Sequence, residues 1–401
     1  MTIALGACER EPERVPLERV KSVVVAPSEV SMGPAGEAQL QAQANDAEGR
    51  PVGGVPIAFK VDVADVCRVT PSGLVEAVGK VGACSVNVTA ASHSFDVPVQ
   101  VVPGAAAQLE VTSGTGQSGV VRNTLRDPVV VRALDARGNP VPGATVAFGI
   151  AAGGGVVAPE RATTDEDGHA AAVWSLGQLA GTQKLTVTIP NTHVLATASA
   201  SAAPGELATL TLIDRLPDAS PVGTTLSPIR FLARDEFGNP VPGVEVDALA
   251  SGASVVTPAT GTTDSLGIAT FDWQIAKAPG AVSLRARAEE QAVDVDVNAL
   301  VGAPASVVIV RGDGGQARVR KASRVAPVVR VLDAFGNPVP GVPVTFKADG
   351  GGRVEVPAVT TSPAGEARPG KWFMGDAPGT STLTAAVDGT PGVVLHVVTK
   401  P

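Results

Sequence analysis

The hexapeptide Gly-Asn-Pro-Val-Pro-Gly occurs three times, at residues 138–143, 238–243 and 336–341. A Thr-Thr-x-x-x-Gly-x-Ala segment follows each copy, from Thr163 to Ala170, Thr262 to Ala269 and Thr360 to Ala367. A tryptophan follows in turn: Trp174, Trp273 and Trp372. Three landmarks in the same order, at a spacing of about 100 residues, mean three copies of one structural unit. Junctions at Pro103-Gly104, Pro204-Gly205 and Ala303-Pro304 precede the copies.

Within a copy the apolar period is two. Phe231 and Ala233 alternate with Leu232 and Arg234, Val329 and Val331 with Arg330 and Leu332, and Val342, Val344 and Phe346 with Pro343 and Thr345. This alternation puts one strand face on a core and the other toward water. The hexapeptide supplies the reversal. Gly and Asn accept positive φ, and each Pro fixes φ and removes a backbone donor. Glycine (45) and proline (33) punctuate short runs of Val, Ala and Leu throughout, which is an all-β pattern. A chain of 401 residues suits three or four units of this size. With strands of ~8–10 residues at ~3.3 Å each, a unit is about 30 Å long, and short Pro-bearing linkers predict an elongated row of about 120 Å.

The pattern D-x-x-GNPVPG-x-x-V-x-F, then T-T-x-x-x-G-x-A and a closing strand, resembles the bacterial immunoglobulin-like group 1 domain of invasin- and intimin-type adhesins. The resemblance assigns one such domain each to residues 103–203, 204–302 and 303–401. It implies β-sandwiches, four in tandem with the domain before them, that form a cell-surface rod. Residues 21–102 differ. Their turn, Gly49 to Gly54, is weaker, and the order of strand, Gly73-Leu74-Val75 turn and closing strand resembles the group 2 domain. Cys67 and Cys84 in this segment are expected on neighbouring strands. They read as a disulfide closing a loop of ~17 residues, with two buried free thiols as the other reading.

Residues 1–20 read as a truncated lipoprotein-type signal and tether. Leu5-Gly6-Ala7-Cys8 has the small-residue pattern that precedes a lipidated cysteine, and the charged, proline-punctuated stretch from Glu9 to Arg19 follows it. Seven residues before Cys8 are fewer than a full leader needs, so either the start lies upstream or Cys8 is an ordinary cysteine. With Cys8 lipidated, the chain is expected in the cell envelope, as an outer-membrane lipoprotein exposed at the surface or facing the periplasm.

No catalytic, cofactor-binding or metal site is expected. The four histidines, His93, His169, His193 and His396, show no metal-ligand spacing. The runs Gly153–Gly155 and Gly350–Gly352 lack the Lys-Ser/Thr of a phosphate loop, and no serine stands in a G-x-S-x-G elbow. Asp135, Asp235 and Asp333, three residues before each hexapeptide glycine, read as turn carboxylates in preference to calcium ligands. The acidic run Asp165, Glu166 and Asp167 reads as a surface turn in preference to a metal site. The three tryptophans read as packing residues in preference to a binding platform. Net charge is −8 with both signs interspersed, no basic patch stands out, and aromatics are few, so no nucleic-acid partner is expected. Arg311-Gly312-Asp313, after the strand 307–310, spells a possible adhesion tripeptide. The expected function is a non-enzymatic cell-surface stalk or adhesin-like lipoprotein with a protein or polysaccharide partner. The alternative is a periplasmic or secreted module that binds a polysaccharide or protein.

Overall fold

A computed structural model describes residues 17–401. Apart from one short 3-10 turn, Leu17–Arg19, its regular elements are β-strands. They form ten sheets among the described residues, and every ladder stays within one of four consecutive stretches of chain. The chain divides into two compact units at Ala203/Pro204, each holding two of these stretches.

In the first unit, the stretch from Ser22 to Val101 has a four-stranded sheet in the order Val30–Met32, His93–Val101, Gly82–Ala90, Ile57–Val61. A three-stranded sheet, Glu37–Gln39, Leu74–Ala77, Cys67–Val69, and the pair Ser22–Ala26 with Gln41–Asn45 complete it. Cys67 and Cys84 form a disulfide with Cα atoms 6.5 Å apart. They do not lie on neighbouring strands as expected. Cys67 belongs to the three-stranded sheet and Cys84 to the four-stranded one, so the bond ties sheet to sheet. The pleat explains this: both side chains alternate inward from facing sheets, and both are buried.

The next stretch packs the sheet Ala106–Ser113, Val129–Asp135, His169–Leu176, Gly155–Ala158 against a five-stranded one. That second sheet runs Gln117–Val120, Leu195–Ala203, Gly181–Thr188, Thr145–Ala152, Arg161–Thr163. The first stretch of the second unit repeats the plan. Thr209–Leu212, Thr225–Arg234, Ile268–Gln274 and Val255–Thr257 face Ala219–Pro221, Gln291–Leu300, Gly280–Ala288, Glu245–Ala250 and Thr260–Thr262. In the last stretch, Gly315–Arg318 again pairs in parallel with the final strand, Val393–Lys400, at the edge of a five-stranded sheet. These are tandem β-sandwiches, and the inward-facing alternation matches the period-two reading. Phe231, Ala233, Val329, Val331 and Val344 are fully buried, whereas Arg234 is exposed and Arg330 half-buried.

Trp174, Trp273 and Trp372 are fully buried at equivalent strand positions, so none presents a ring to a ligand. Around Trp273 the core gathers Phe231 and Phe271, whose rings meet edge to face at 5.9 Å, with Ile229, Ile275 and Leu284. The indole Nε1 of all three tryptophans has no hydrogen-bond acceptor among the described residues.

Candidate functional site

Each hexapeptide turn is built around the aspartate before it. In the second sandwich, the buried Asp135 carboxylate accepts four kinds of hydrogen bond. Its Oδ1 takes the backbone N–H of Arg137 and of Asn139, both at 2.9 Å. Its Oδ2 takes the Asn139 side-chain amide and the N–H of Gly104, each at 3.0 Å. Gly104 is the linker glycine, so one carboxylate ties the turn to the segment that enters the sandwich. Asp235 does the same with Gly205 at 2.9 Å, and Asp333 with Gly302 at 3.0 Å. In the last copy the pinned residue is Gly302, one residue before the expected Ala303-Pro304 junction.

Burial alone would push the Asp135 carboxyl up. The hydrogen bonds from Asn139, Gly104 and Arg137 outweigh it and hold the group down at about 2. Asp235 and Asp333 are lowered as well, against burial and through the same set of amides. This is the bonding of a turn carboxylate, and no group of three side chains able to hold a metal ion lies among the described residues.

The Thr-Thr segment staples the turn from the other side. Thr164 Oγ1 donates to Val141 O at 2.7 Å and accepts from the Ala144 N–H at 2.8 Å. Thr263 and Thr361 repeat this with Val241 and Val244, and with Val339 and Val342. The glycine that follows is required: Gly168 has φ +78, and a Cβ there would lie 2.7 Å from Ala133 O. Asp165 is a local turn acceptor, taking the N–H of Asp167 and of His169.

Within each unit the turn also reaches its neighbour. Asn139 donates its side-chain amide to Gly79 O in the first sandwich at 3.0 Å. Asn337 donates to Lys277 O in the third at 2.7 Å. Beside it, Lys277 Nζ stands 5.9 Å from the centre of the Phe335 ring, and that ring covers Gly223 so closely that a Cβ there would come within 2.3 Å. The weaker turn of the first sandwich, Gly49 to Gly54, is built the same way. Asp46 Oδ1 accepts the N–H of Glu48 and Arg50, so Asp46 stands where the later copies have Asp135, and Arg50 where they have Asn139.

The Arg311–Asp313 tripeptide lies at the end of the strand Ser306–Arg311. Asp313 Oδ1 accepts the backbone N–H of His396 at 2.7 Å, and the His396 Nδ1 is 3.7 Å away. One oxygen of this carboxylate is therefore committed to its own domain. Cys8 lies outside the described residues.

The expectation of no basic patch does not hold. Arg318, Lys321, Arg324 and Lys400 line one open cleft of about 500 Å³ in the last domain, with Gln316, Ala317, Ala322 and Pro401. Two strands and a loop, distant in sequence, bring them together. Arg318 and Lys400 are register partners in a parallel pair, and Lys321 and Arg324 follow on the loop. Sequence spacing alone does not show this, although the run from Arg311 to Arg330 carries six cations and one acid.

Residues 321–398 match the model of the bacterial Ig-like domain (group 1). The last of the three repeats is of that kind. The inverse autotransporter adhesin YeeJ of Escherichia coli (strain K12) is 25% identical over 268 residues, covering 63% of this chain. The matched region is 11% of YeeJ, so the chain spans a small part of that relative's length. The solved structure of FdeC, an Escherichia coli adhesin, covers 73% of this chain and 96% of its own at 20% identity and a TM-score of 0.50. That likeness is one of fold.

Proposed function

We propose that this chain is a non-enzymatic, adhesin-type stalk of the bacterial cell surface. The observation that carries the reading is the repeated junction. An aspartate pins the linker glycine of every copy, and Asn139 and Asn337 extend two of these turns to the preceding sandwich. A chain whose repeated residues are spent on fixing its linkers, and within each unit on holding one sandwich to the next, is built to carry load or distance. The likeness to YeeJ and FdeC, both named as adhesins, supports the same reading. The reading does not rest on the tripeptide 311–313, where one oxygen of Asp313 accepts the backbone N–H of His396.

The anchor we propose is a lipid on Cys8, with the chain in the outer membrane. Two or three acyl chains give stable attachment where one is marginal. The basic cleft favours the second reading, a secreted or periplasmic module that binds a polysaccharide. Protease shaving of intact native cells separates the two. Loss of the chain from shaved cells supports the surface stalk, and full protection removes it. Mass spectrometry of the mature N-terminus, with Cys8→Ser as control, tests the anchor. An unmodified N-terminus upstream of residue 8 would remove the lipid.

A further inference from the structure

We propose that the cleft lined by Arg318, Lys321, Arg324 and Lys400 is a binding site for a sulfated polysaccharide, recognised through its sulfate groups. Four exposed cations share this cleft, and none has an acidic partner among the described residues. The ion pair of Arg320 with Asp376, at 2.6 Å, uses a different arginine.

The charge is not required by the fold, because the sibling domains hold the same positions without it. Arg318 pairs in register with Lys400; the equivalent pairs are Val120 with Ala203 and Pro221 with Leu300. Lys321 O accepts the N–H of Met374 where Asn123 O accepts that of Leu176 and Thr224 O that of Ile275. Three of the four cations therefore stand where both siblings carry uncharged residues. Arg318 and Lys400 are register partners in a parallel pair and both are exposed, so two positive charges fall side by side on adjacent strands. A cluster of cations that the fold does not require, on a chain of net charge −8, is explained by an anionic ligand.

The lining selects the class of anion. No aromatic side chain borders the cleft, so a sugar face has no aromatic platform to stack on. Contact falls to charge and hydrogen bonding. Two arginine forks match the oxygens of a sulfate in bidentate fashion, the lysines add point charges, and the Gln316 amide can meet a hydroxyl. The cleft is open and lined by exposed side chains, which suits groups projecting from a polymer. A second cleft of about 320 Å³ adjoins it and shares Gln316 and Arg324. Asp313 lines this second cleft and repels an anion there, so the bound chain is held on the side of Lys321 and Lys400.

The inference goes beyond the stalk reading and is tested on the purified full chain, so its failure leaves the shaving experiment untouched. The probe is a heparin oligosaccharide, with desulfated heparin, hyaluronan and double-stranded DNA as comparisons, titrated by calorimetry at about 50 mM salt. Binding to heparin alone is expected, weakening steeply with salt. Arg318→Val with Lys400→Ala, residues the second sandwich already tolerates in this pairing, should weaken it roughly tenfold and lower the salt slope by roughly two. The melting profile should stay unchanged. Absence of heparin binding, equal affinity for hyaluronan or DNA, or an unaffected double variant would each overturn the proposal.

Discussion

The side-chain amide of Asn139 spans two domains, donating at once to Gly79 O in the first sandwich and to the Asp135 carboxylate in its own. Replacing it removes a contact between domains and one donor to a buried charge. Asn139→Ala is expected to lower the stability of the second sandwich by about 2 kcal/mol, as for a hydrogen bond to a charged group. The same change should speed proteolysis near Gly104. Calorimetry and timed digestion read the two effects, and no change in either would mean that the junction does not depend on this amide.

Acid should loosen the same element. The folded Asp135 carboxyl sits at about 2, below the roughly 3.9 of an unfolded aspartate. A depressed carboxylate stabilises the fold above its unfolded value, and that stabilisation disappears as pH falls through the folded one. The contribution is on the order of 2 kcal/mol, fully present above about pH 4 and lost toward about pH 2. Asp235 and Asp333 shift in the same direction and add to the loss. Asp135→Asn should lower stability at neutral pH and flatten this domain's melting temperature between pH 4 and 2. A mutant profile as steep as that of the parent would show that another group is responsible.

Much of this fold is legible in the residues because the repeat isolates them. Strand alternation at Phe231 and Ala233, the turn at each hexapeptide and the tryptophan position all follow from local pattern. What pattern leaves hidden is pairing across sheets. Nearness in sequence suggests adjacent strands for Cys67 and Cys84, yet the sandwich sends these neighbours to opposite sheets. The basic cleft stayed hidden for a related reason: Arg318 and Lys400 meet only through a parallel pair joining the two ends of the last domain. The role of Asp46 is masked in the sequence because Arg50 replaces the asparagine that marks the other turns.

The tryptophans can be separated into packing and hydrogen bonding. Trp273 is fully buried, so Trp273→Ala is expected to cost about 3–5 kcal/mol and to unfold chiefly its own domain. Its indole N–H has no acceptor among the described residues. Trp273→Phe deletes that orphan donor along with part of the ring and should cost only about 1–2 kcal/mol. Thermal unfolding of the two variants gives the ratio, and a phenylalanine variant as damaged as the alanine one would show that the N–H has a partner.

The sheet-to-sheet disulfide gives the first sandwich a stability of its own to lose. Its chemistry is that of an oxidising compartment, and it closes a loop with a sequence separation of 17 between Cys67 and Cys84. A loop of this length is worth about 3 kcal/mol, chiefly by restricting the unfolded chain. Because the bond joins two sheets, its loss also frees their packing under Val66, Val75 and Val86, which are buried in the same core. Cys67→Ala with Cys84→Ala is expected to lower the melting temperature of the first sandwich by roughly 15 °C. The three repeat domains contain no cysteine and should melt as before. Reduction of the parent should reproduce the variant, and calorimetry with and without dithiothreitol compares them. A first transition indifferent to both treatments would mean that packing between the sheets, without the covalent bond, already sets the stability of that domain.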